Sequence, residues 1–138
     1  MPSFLVVATD ANCQKYSQRE RQIIEASEKF SHLVVPAVAD PHIERWLLVD
    51  SPAFKQALGK GCQPPDQKCG HRRYKQLLIQ AVREAGVTPL LGGMEHAEEI
   101  ANNLDLTRAQ HIDKSLGTFV KNLRSKFTEI KRTEHGQS

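Results

Sequence analysis

Three oxygen-bearing side chains, Asp10, Asn12 and Glu44, follow the two stretches of sequence that are most typical of buried strands. In open α/β sheets, ligands bind at the carboxyl ends of the strands, which is where Asp10 and Asn12 are expected. Alternate residues of an extended segment share a face, so this pair could present oxygen to one hard cation. An Asp-X-Asn turn with side-chain-to-backbone hydrogen bonds explains the pair as well.

Two further carboxylates, Glu44 and Asp50, lie in the segment PHIERWLLVD (41–50). A carboxylate beside a hydrophobic core needs a partner, a cation or solvent. The two are six residues apart, too far along a helix to share a ligand, and Glu44 is the better candidate for the strand-end site. Glu44 could instead interact with the dipole of a helix first turn. Asp50 is better explained as the N-cap of the next helix.

A basic segment, residues 53–78, carries six lysine and arginine side chains against one acid, Asp66. Residues 1–52 hold five basic and seven acidic side chains, and residues 79–138 hold eight of each. Such a cluster in a protein of net charge +3 is typical of phosphate binding, although a solvated loop and helix face would look the same. The residues predicted to contact a nucleic-acid backbone are Lys60, Lys68, Arg72, Arg73 and Lys75.

The three cysteines, Cys13, Cys62 and Cys69, are predicted to be reduced thiols, because an odd number does not suit a disulfide framework. Together with His71 they could bind zinc. The spacing Cys-X6-Cys-X-His is not a standard one, and no compact four-ligand pattern is present. Free thiols are therefore the favoured interpretation.

A βαβ unit is predicted to position the strand-end residues. SFLVVAT (3–9) and HLVVPAV (32–38) are short and β-branched, as buried strands are. Ser17 and Glu20 have capping-box spacing, which predicts a helix to about Phe30. Strand, helix and strand in this order favour parallel pairing.

The rest of the chain is predicted to be mainly helical, so that the fold class is α/β: a small parallel sheet followed by a mainly helical C-terminal half. Helices are expected to begin at Asp40-Pro41 and at Ser51-Pro52, to cover 74–85 and 94–104, and to run from a Thr107 cap to about Phe127. The predicted organisation is a βαβ core at 1–58, a Gly/Pro-rich basic loop at 59–70, a helical region packed on the core at 71–130 and a flexible tail at 131–138.

Two strands are too few for an independent parallel sheet, because its faces need covering and its edges need partners. Either VTPLL (87–91) supplies a third strand, or another chain extends the sheet. We also expect the apolar stripes of the helices at 74–85 and 109–127 to cover one face of the sheet and to leave the other face without cover.

VVATDANCQKYSQRERQI followed by VADPHIERWLLVD resembles the Toprim-type nucleases of the RloB and overcoming-lysogenization-defect groups. In that family a strand ends in an Asp-X-Asp-like motif, and a later segment has the form Pro-X-X-Glu-X-Trp-Leu-Leu. The resemblance covers roughly residues 4–50. Asp10 matches the first acid, Asn12 replaces the second, and Glu44 matches the glutamate before the tryptophan.

The resemblance implies phosphodiester cleavage that depends on Mg²⁺ or Mn²⁺, with Asp10 and Glu44 as catalytic residues and Asp10, Asn12 and Glu44 as metal ligands. It also implies an ATPase partner in a bacterial anti-phage defence system. The family's first-strand glutamate has no match in these residues. The expected Toprim domain is therefore partial or degenerate, and it is either completed by a larger partner, an ATPase or the remaining part of the nuclease, or not catalytic.

The composition, with 39% apolar and 25% charged residues, is typical of a globular rather than a disordered protein. No apolar run is long enough to span a bilayer, and a cytoplasmic protein is expected. The alternative function is a non-catalytic regulatory or adaptor subunit. It would bind a partner protein, or nucleic acid through a helix-turn-helix in EEIANNLDLTRAQHIDKSLGTF, although a plain helical hairpin fits that segment better.

Overall fold

The structure, a computed structural model, describes residues 4–70 and 72–136. Two strands, β1 (Leu5–Asp10) and β2 (Val34–Ala39), pair in parallel, with Leu5 opposite Val34 and Asp10 opposite Ala39. Helix α1 (Tyr16–Ala26) and a 3-10 helix (Glu28–Leu33) connect them. The predicted βαβ unit and the α/β fold class are confirmed.

Helices make up most of the chain after β2, as predicted. They are α2 (Ile43–Trp46), α3 (Ser51–Leu58), α4 (Arg73–Glu84), α5 (Ala97–Asn103), α6 (Leu106–Ile112) and α7 (Lys114–Gly136). A single 3-10 turn, Met94–His96, precedes α5. Residues 59–70 have no regular secondary structure, and α7 extends into the segment expected to be a tail, of which residues 137 and 138 lie outside the described part. VTPLL is irregular over 87–89 and ends in a turn, and does not form a third strand.

Several predicted helix starts are wrong by a few residues. The N-cap of α1 is Lys15, so Ser17 and Glu20 lie inside the helix and do not form a capping box. Asp40-Pro41 is a cis peptide bond, and α2 begins only after the cap at His42.

The long C-terminal helix is interrupted where one continuous helix was expected. Asp105, not Thr107, caps α6 by accepting a hydrogen bond from the backbone N–H of Arg108. Asp113 then adopts an extended conformation and accepts a hydrogen bond from the backbone N–H of Leu116 at the start of α7. Two aspartate caps thus divide the apolar stripe between two helices.

Helices cover both faces of the sheet, so the expectation of one bare face is wrong. On one face, Ala37 and Ala39 pack with Trp46 of α2 and with α6 and α7. On the other, Val34 and Val38 pack against Ile23 of α1. Odd and even residues of a strand point to opposite faces, which accounts for this division.

The open part of the sheet is the free edge of β1. Every residue of β2 is buried, whereas Leu5 and Val6 of β1 are 52% and 41% exposed. Among the described residues no third strand pairs with β1.

None of the helices in residues 4–70 and 72–136 combines the length and apolarity that crossing a bilayer requires.

Candidate strand-end site

Asp10, the last residue of β1, is hydrogen bonded to the start of α2. Its Oδ1 accepts a hydrogen bond from the backbone N–H of Ile43 at 2.7 Å, which places a carboxylate at the positive end of a short helix. Arg19 of α1 holds the same strand end, donating from Nε to the backbone oxygen of Asp10 and from Nη2 to Thr9 Oγ1. Among the described residues no donor binds Oδ2 of Asp10, and this oxygen remains available for a ligand.

Asn12 lies in the turn that follows β1, next to His42. Its φ of 54° is in the left-handed region, which asparagine tolerates better than most residues. Asn12 Oδ1 and His42 Nε2 are 3.2 Å apart, while His42 Nδ1 is buried without a hydrogen-bond partner in the described structure. The predicted pair Asp10 and Asn12 therefore reaches α2 through two separate contacts.

Glu44 is in the first turn of α2, immediately after the residue that binds Asp10. It is only 9% exposed, and no hydrogen bond to its carboxylate is present among the described residues. We call Asp10, Asn12, His42 and the neighbouring Glu44 the strand-end site, although in the described structure no hydrogen bond or ion pair joins the Glu44 side chain to the other three. Its carboxylate and amide oxygens suit Mg²⁺ or Mn²⁺, but within residues 4–70 and 72–136 no three His, Cys, Asp or Glu side chains are arranged to hold a metal ion. The donor chemistry fits a divalent ion, and the donor number requires additional ligands.

A buried polar network positions α2, which has only four residues of its own. Arg45 forms an ion pair with Asp113, and both side chains are almost fully buried. Trp46 Nε1 donates to Ser115 Oγ at 3.1 Å, and Ser115 Oγ donates to Asp113 Oδ1 at 2.5 Å. These contacts attach α2 to the start of α7 and so fix Ile43 opposite Asp10.

Asp50 does not belong to this site. Its carboxylate accepts a hydrogen bond from the backbone N–H of Ala53 at 3.2 Å and so caps α3, as predicted. It also accepts one from the backbone N–H of Asp105 and is bound by Arg108. The carboxylate at the end of PHIERWLLVD is thus satisfied by protein donors.

The basic loop lies beside the strand-end site. Tyr74, which is fully buried, donates from its hydroxyl to the backbone oxygen of Asp66 and accepts from the backbone N–H of Lys68, both at 2.7 Å. Its ring lies 6.1 Å from that of His42, measured between centroids. Tyr74 therefore joins the loop to the site.

A disulfide between Cys13 and Cys69 makes a second connection, with Cα atoms 5.4 Å apart. The prediction of reduced thiols is wrong for these two residues, because the fold brings the turn after β1 against the loop. Cys62 is free, and burial, followed by the nearby charge of Asp50, raises the pKa of its thiol to about 11. Among the described residues no zinc-type cluster forms, and His71 lies outside them.

The cations of the basic segment differ in their surroundings. Arg73 forms an ion pair with Asp66, and this hydrogen bond lowers the pKa of the aspartate. Lys68 lies 3.3 Å from the same carboxylate. Lys60, Arg72 and Lys75 are exposed and pair with no acid in the described structure, so they are the most available to a phosphate. Arg72 has a φ of 59°, just before α4.

Comparisons of this chain with family models, curated proteins and solved structures gave no match. Two contacts were not predicted: that of His42 with Asn12 within the strand-end site, and the pair Arg45–Asp113 that positions α2. A charge inside the buried run IERW indicates that Arg45 needs a partner, but its acid lies 68 residues further on.

Proposed function

We propose that this protein is a Toprim-like, metal-dependent nuclease subunit that cleaves nucleic-acid phosphodiesters. We propose further that it acts in the cytoplasm together with an ATPase partner, as part of a bacterial anti-phage defence system. The observation that carries the proposal is the convergence of three separate segments. The end of β1 meets α2 through Asp10 and Ile43, and the basic loop reaches the same place through Tyr74 and His42.

Asp10, Asn12 and Glu44 are the residues that would hold Mg²⁺ or Mn²⁺. When bound, the ion would polarise a phosphoryl oxygen and stabilise negative charge as the phosphodiester breaks. The protein's own part is to orient the oxygen donors through the Arg45–Asp113 network and to keep a phosphate close through the exposed cations of the basic segment. Because so few acids converge, substrate phosphates or a partner chain must complete the coordination shell.

A non-catalytic regulatory or adaptor subunit is the second candidate function. It is favoured by the hydrogen bonds that already engage one oxygen of Asp10 and the side-chain oxygen of Asn12. The helix-turn-helix form of this alternative is less well supported. Arg108, in the would-be recognition helix α6, is bound to Asp50.

A cleavage assay separates the two functions. The chain, purified with whatever partner it retains from its native host, would be given labelled single- and double-stranded DNA and RNA with Mg²⁺ or Mn²⁺. Asp10→Asn is the sharpest variant, because the amide keeps an oxygen for the N–H of Ile43 and removes only the charge. We expect cleavage to fall by about 100-fold or more, the scale on which positioned catalytic groups act. Exposed Glu98→Gln on α5 is the matched control. Equal cleavage by Asp10→Asn and Glu98→Gln would reject Asp10 as catalytic, and no cleavage by any preparation would favour the adaptor.

A further inference from the structure

A groove of about 1210 Å³ runs along α6 and α7 and shares no residue with the strand-end site. Four cations of α7 line it: Lys114, Lys121, Arg124 and Arg132. Small or hydroxyl-bearing residues of α7, such as Gly117 and Ser125, lie among them, and α6 adds Gln110 and His111 to the lining. A large, shallow and positively charged surface of this kind calls for a ligand with many negative charges.

The cations form one continuous stripe. Their spacing of seven, three and eight residues keeps them on the same side of an α-helix, and from first to last they span about 27 Å at 1.5 Å per residue. Glu129 is the one acid of the lining in the described structure, and it lies 3.3 Å from Lys126. Lys114, Lys121 and Arg124 form no ion pair with a described acid.

We propose that this groove binds the phosphate backbone of a nucleic acid. Small lining residues let a sugar-phosphate chain approach the helix closely, and Ser and Thr hydroxyls are common donors to phosphate oxygens. The length of the stripe matches a run of about eight nucleotides at 3.4 Å per nucleotide along one strand. The groove recognises the charge and shape of the backbone rather than the base sequence, because in the described structure its lining offers cations and hydroxyl groups and only one amide side chain, Gln110.

This inference deepens the proposed function, on which it rests for the choice of nucleic acid as ligand. The groove would hold a stretch of backbone, while the strand-end site acts on a phosphodiester. Binding in the groove requires neither Asp10 nor a metal ion. It can therefore be measured by itself.

The test is fluorescence anisotropy with labelled 20-nucleotide single strands and 20-base-pair duplexes, in EDTA and over a range of salt concentrations. The groove variant is Lys121→Gln with Arg124→Gln, and the matched control is Arg21→Gln with Arg83→Gln, which removes the same charge from exposed positions outside the groove. The slope of log K against log salt is negative. We expect it to become shallower in the groove variant, by about 1.8 on duplex DNA or about 1.4 on single strands, and to stay unchanged in the control. Circular dichroism should show equal helix content for both.

Three outcomes would overturn the proposal. Wild-type protein that binds neither probe would do so, as would equal slopes for the groove and control variants. In the third outcome, the wild type binds polyglutamate as strongly as DNA and the groove variant loses this polyglutamate binding. That result would indicate that the groove binds an acidic protein. Failure of the strand-end nuclease appears differently: the Asp10→Asn protein would cleave normally, while the groove slope would still change with Lys121 and Arg124.

Discussion

The carboxylate of Asp50 is bound by the guanidinium group of Arg108, with Nη2 2.9 Å from Oδ1 and 3.1 Å from Oδ2. The same carboxylate caps α3 through Ala53 and accepts the backbone N–H of Asp105 at the start of α6. One buried side chain thus joins the starts of two helices, and its hydrogen-bond partner Asp105 is 55 residues further along the chain. These contacts are structural, whereas the role proposed for Asp10 is catalytic.

Replacing Asp50 should therefore lower stability and leave metal binding intact. Asp50→Ala removes a helix cap and leaves buried backbone donors unsatisfied, so we expect a loss of about 2–4 kcal/mol in the free energy of unfolding. Arg108→Ala should cost less, because the arginine side chain is 46% exposed. Urea denaturation followed by circular dichroism measures both. A change below about 0.5 kcal/mol for Asp50→Ala, the range of ordinary surface substitutions, would contradict this role.

The Cys13–Cys69 disulfide should stabilise the protein by restricting the unfolded chain. The two residues are 56 apart in sequence, for which the loop-entropy relation gives about 4 kcal/mol as an upper value. A reducing agent should lower the melting temperature of the wild type and of Cys62→Ser, but not that of Cys13→Ser. If the reducing agent leaves the melting temperature of the wild type unchanged, the disulfide does not contribute to stability. In a reducing cytoplasm the pair would shift towards thiols, which loosens the loop from the site.

Neutralising the basic segment should weaken nucleic-acid binding at every sequence alike. Arg72→Gln combined with Arg73→Gln is expected to flatten the salt dependence of binding by about 1–2 units on duplex DNA. The lower value is favoured, because Arg73 is already paired with Asp66. Anisotropy titrations in EDTA measure the slope, with Arg83→Gln as the control. An unchanged slope would leave the segment as a solvated surface or a contact for a partner protein.

The free edge of β1 should be where a larger partner adds a strand. Exposed Leu5 and Val6 lie on this edge, beside an apolar groove of about 460 Å³ lined by Val7, Ile23 and Phe30. An unpaired parallel edge is a template for another chain, and a lysine there opposes pairing. Leu5→Lys should therefore reduce the amount of partner that co-purifies from the native host, whereas Leu90→Lys, at an exposed leucine outside the sheet, should not. The purified chain alone should cleave little, and a monomer that cuts nucleic acid efficiently with Mg²⁺ would contradict this account.

Local sequence signals predicted the strands and several helix ends, and failed where the deciding partner is distant or where caps compete. The β-branched runs predicted β1 and β2, and Ser51-Pro52 predicted the start of α3. Thr107 and Asp105 are both acceptable caps two residues apart, and only the contact of Asp50 with Asp105 favours the second. Neither the Cys13–Cys69 pair nor the Arg45–Asp113 pair has a local signal, because the three-dimensional path of the chain creates them. At the strand-end site, the sequence predicted Asp10 at the carboxyl end of β1, where it lies, but did not indicate the hydrogen bond from Ile43.

The proposal that Asp10 binds a divalent metal ion is tested most directly by titrating the protein with Mn²⁺ and measuring free Mn²⁺ by electron paramagnetic resonance. A nucleic-acid strand is present to supply phosphate ligands. Asp10→Asn keeps the hydrogen-bond acceptor for Ile43, so a difference from the wild type reports the lost charge rather than a lost fold. Glu98→Gln is the control for a carboxylate on a distant surface. We predict that the wild type and Glu98→Gln bind Mn²⁺ alike and that Asp10→Asn binds it at least about 10-fold more weakly, the lower end of what disturbing a metal site costs. Identical binding curves for wild type and Asp10→Asn would contradict the account and remove Asp10 from any metal site.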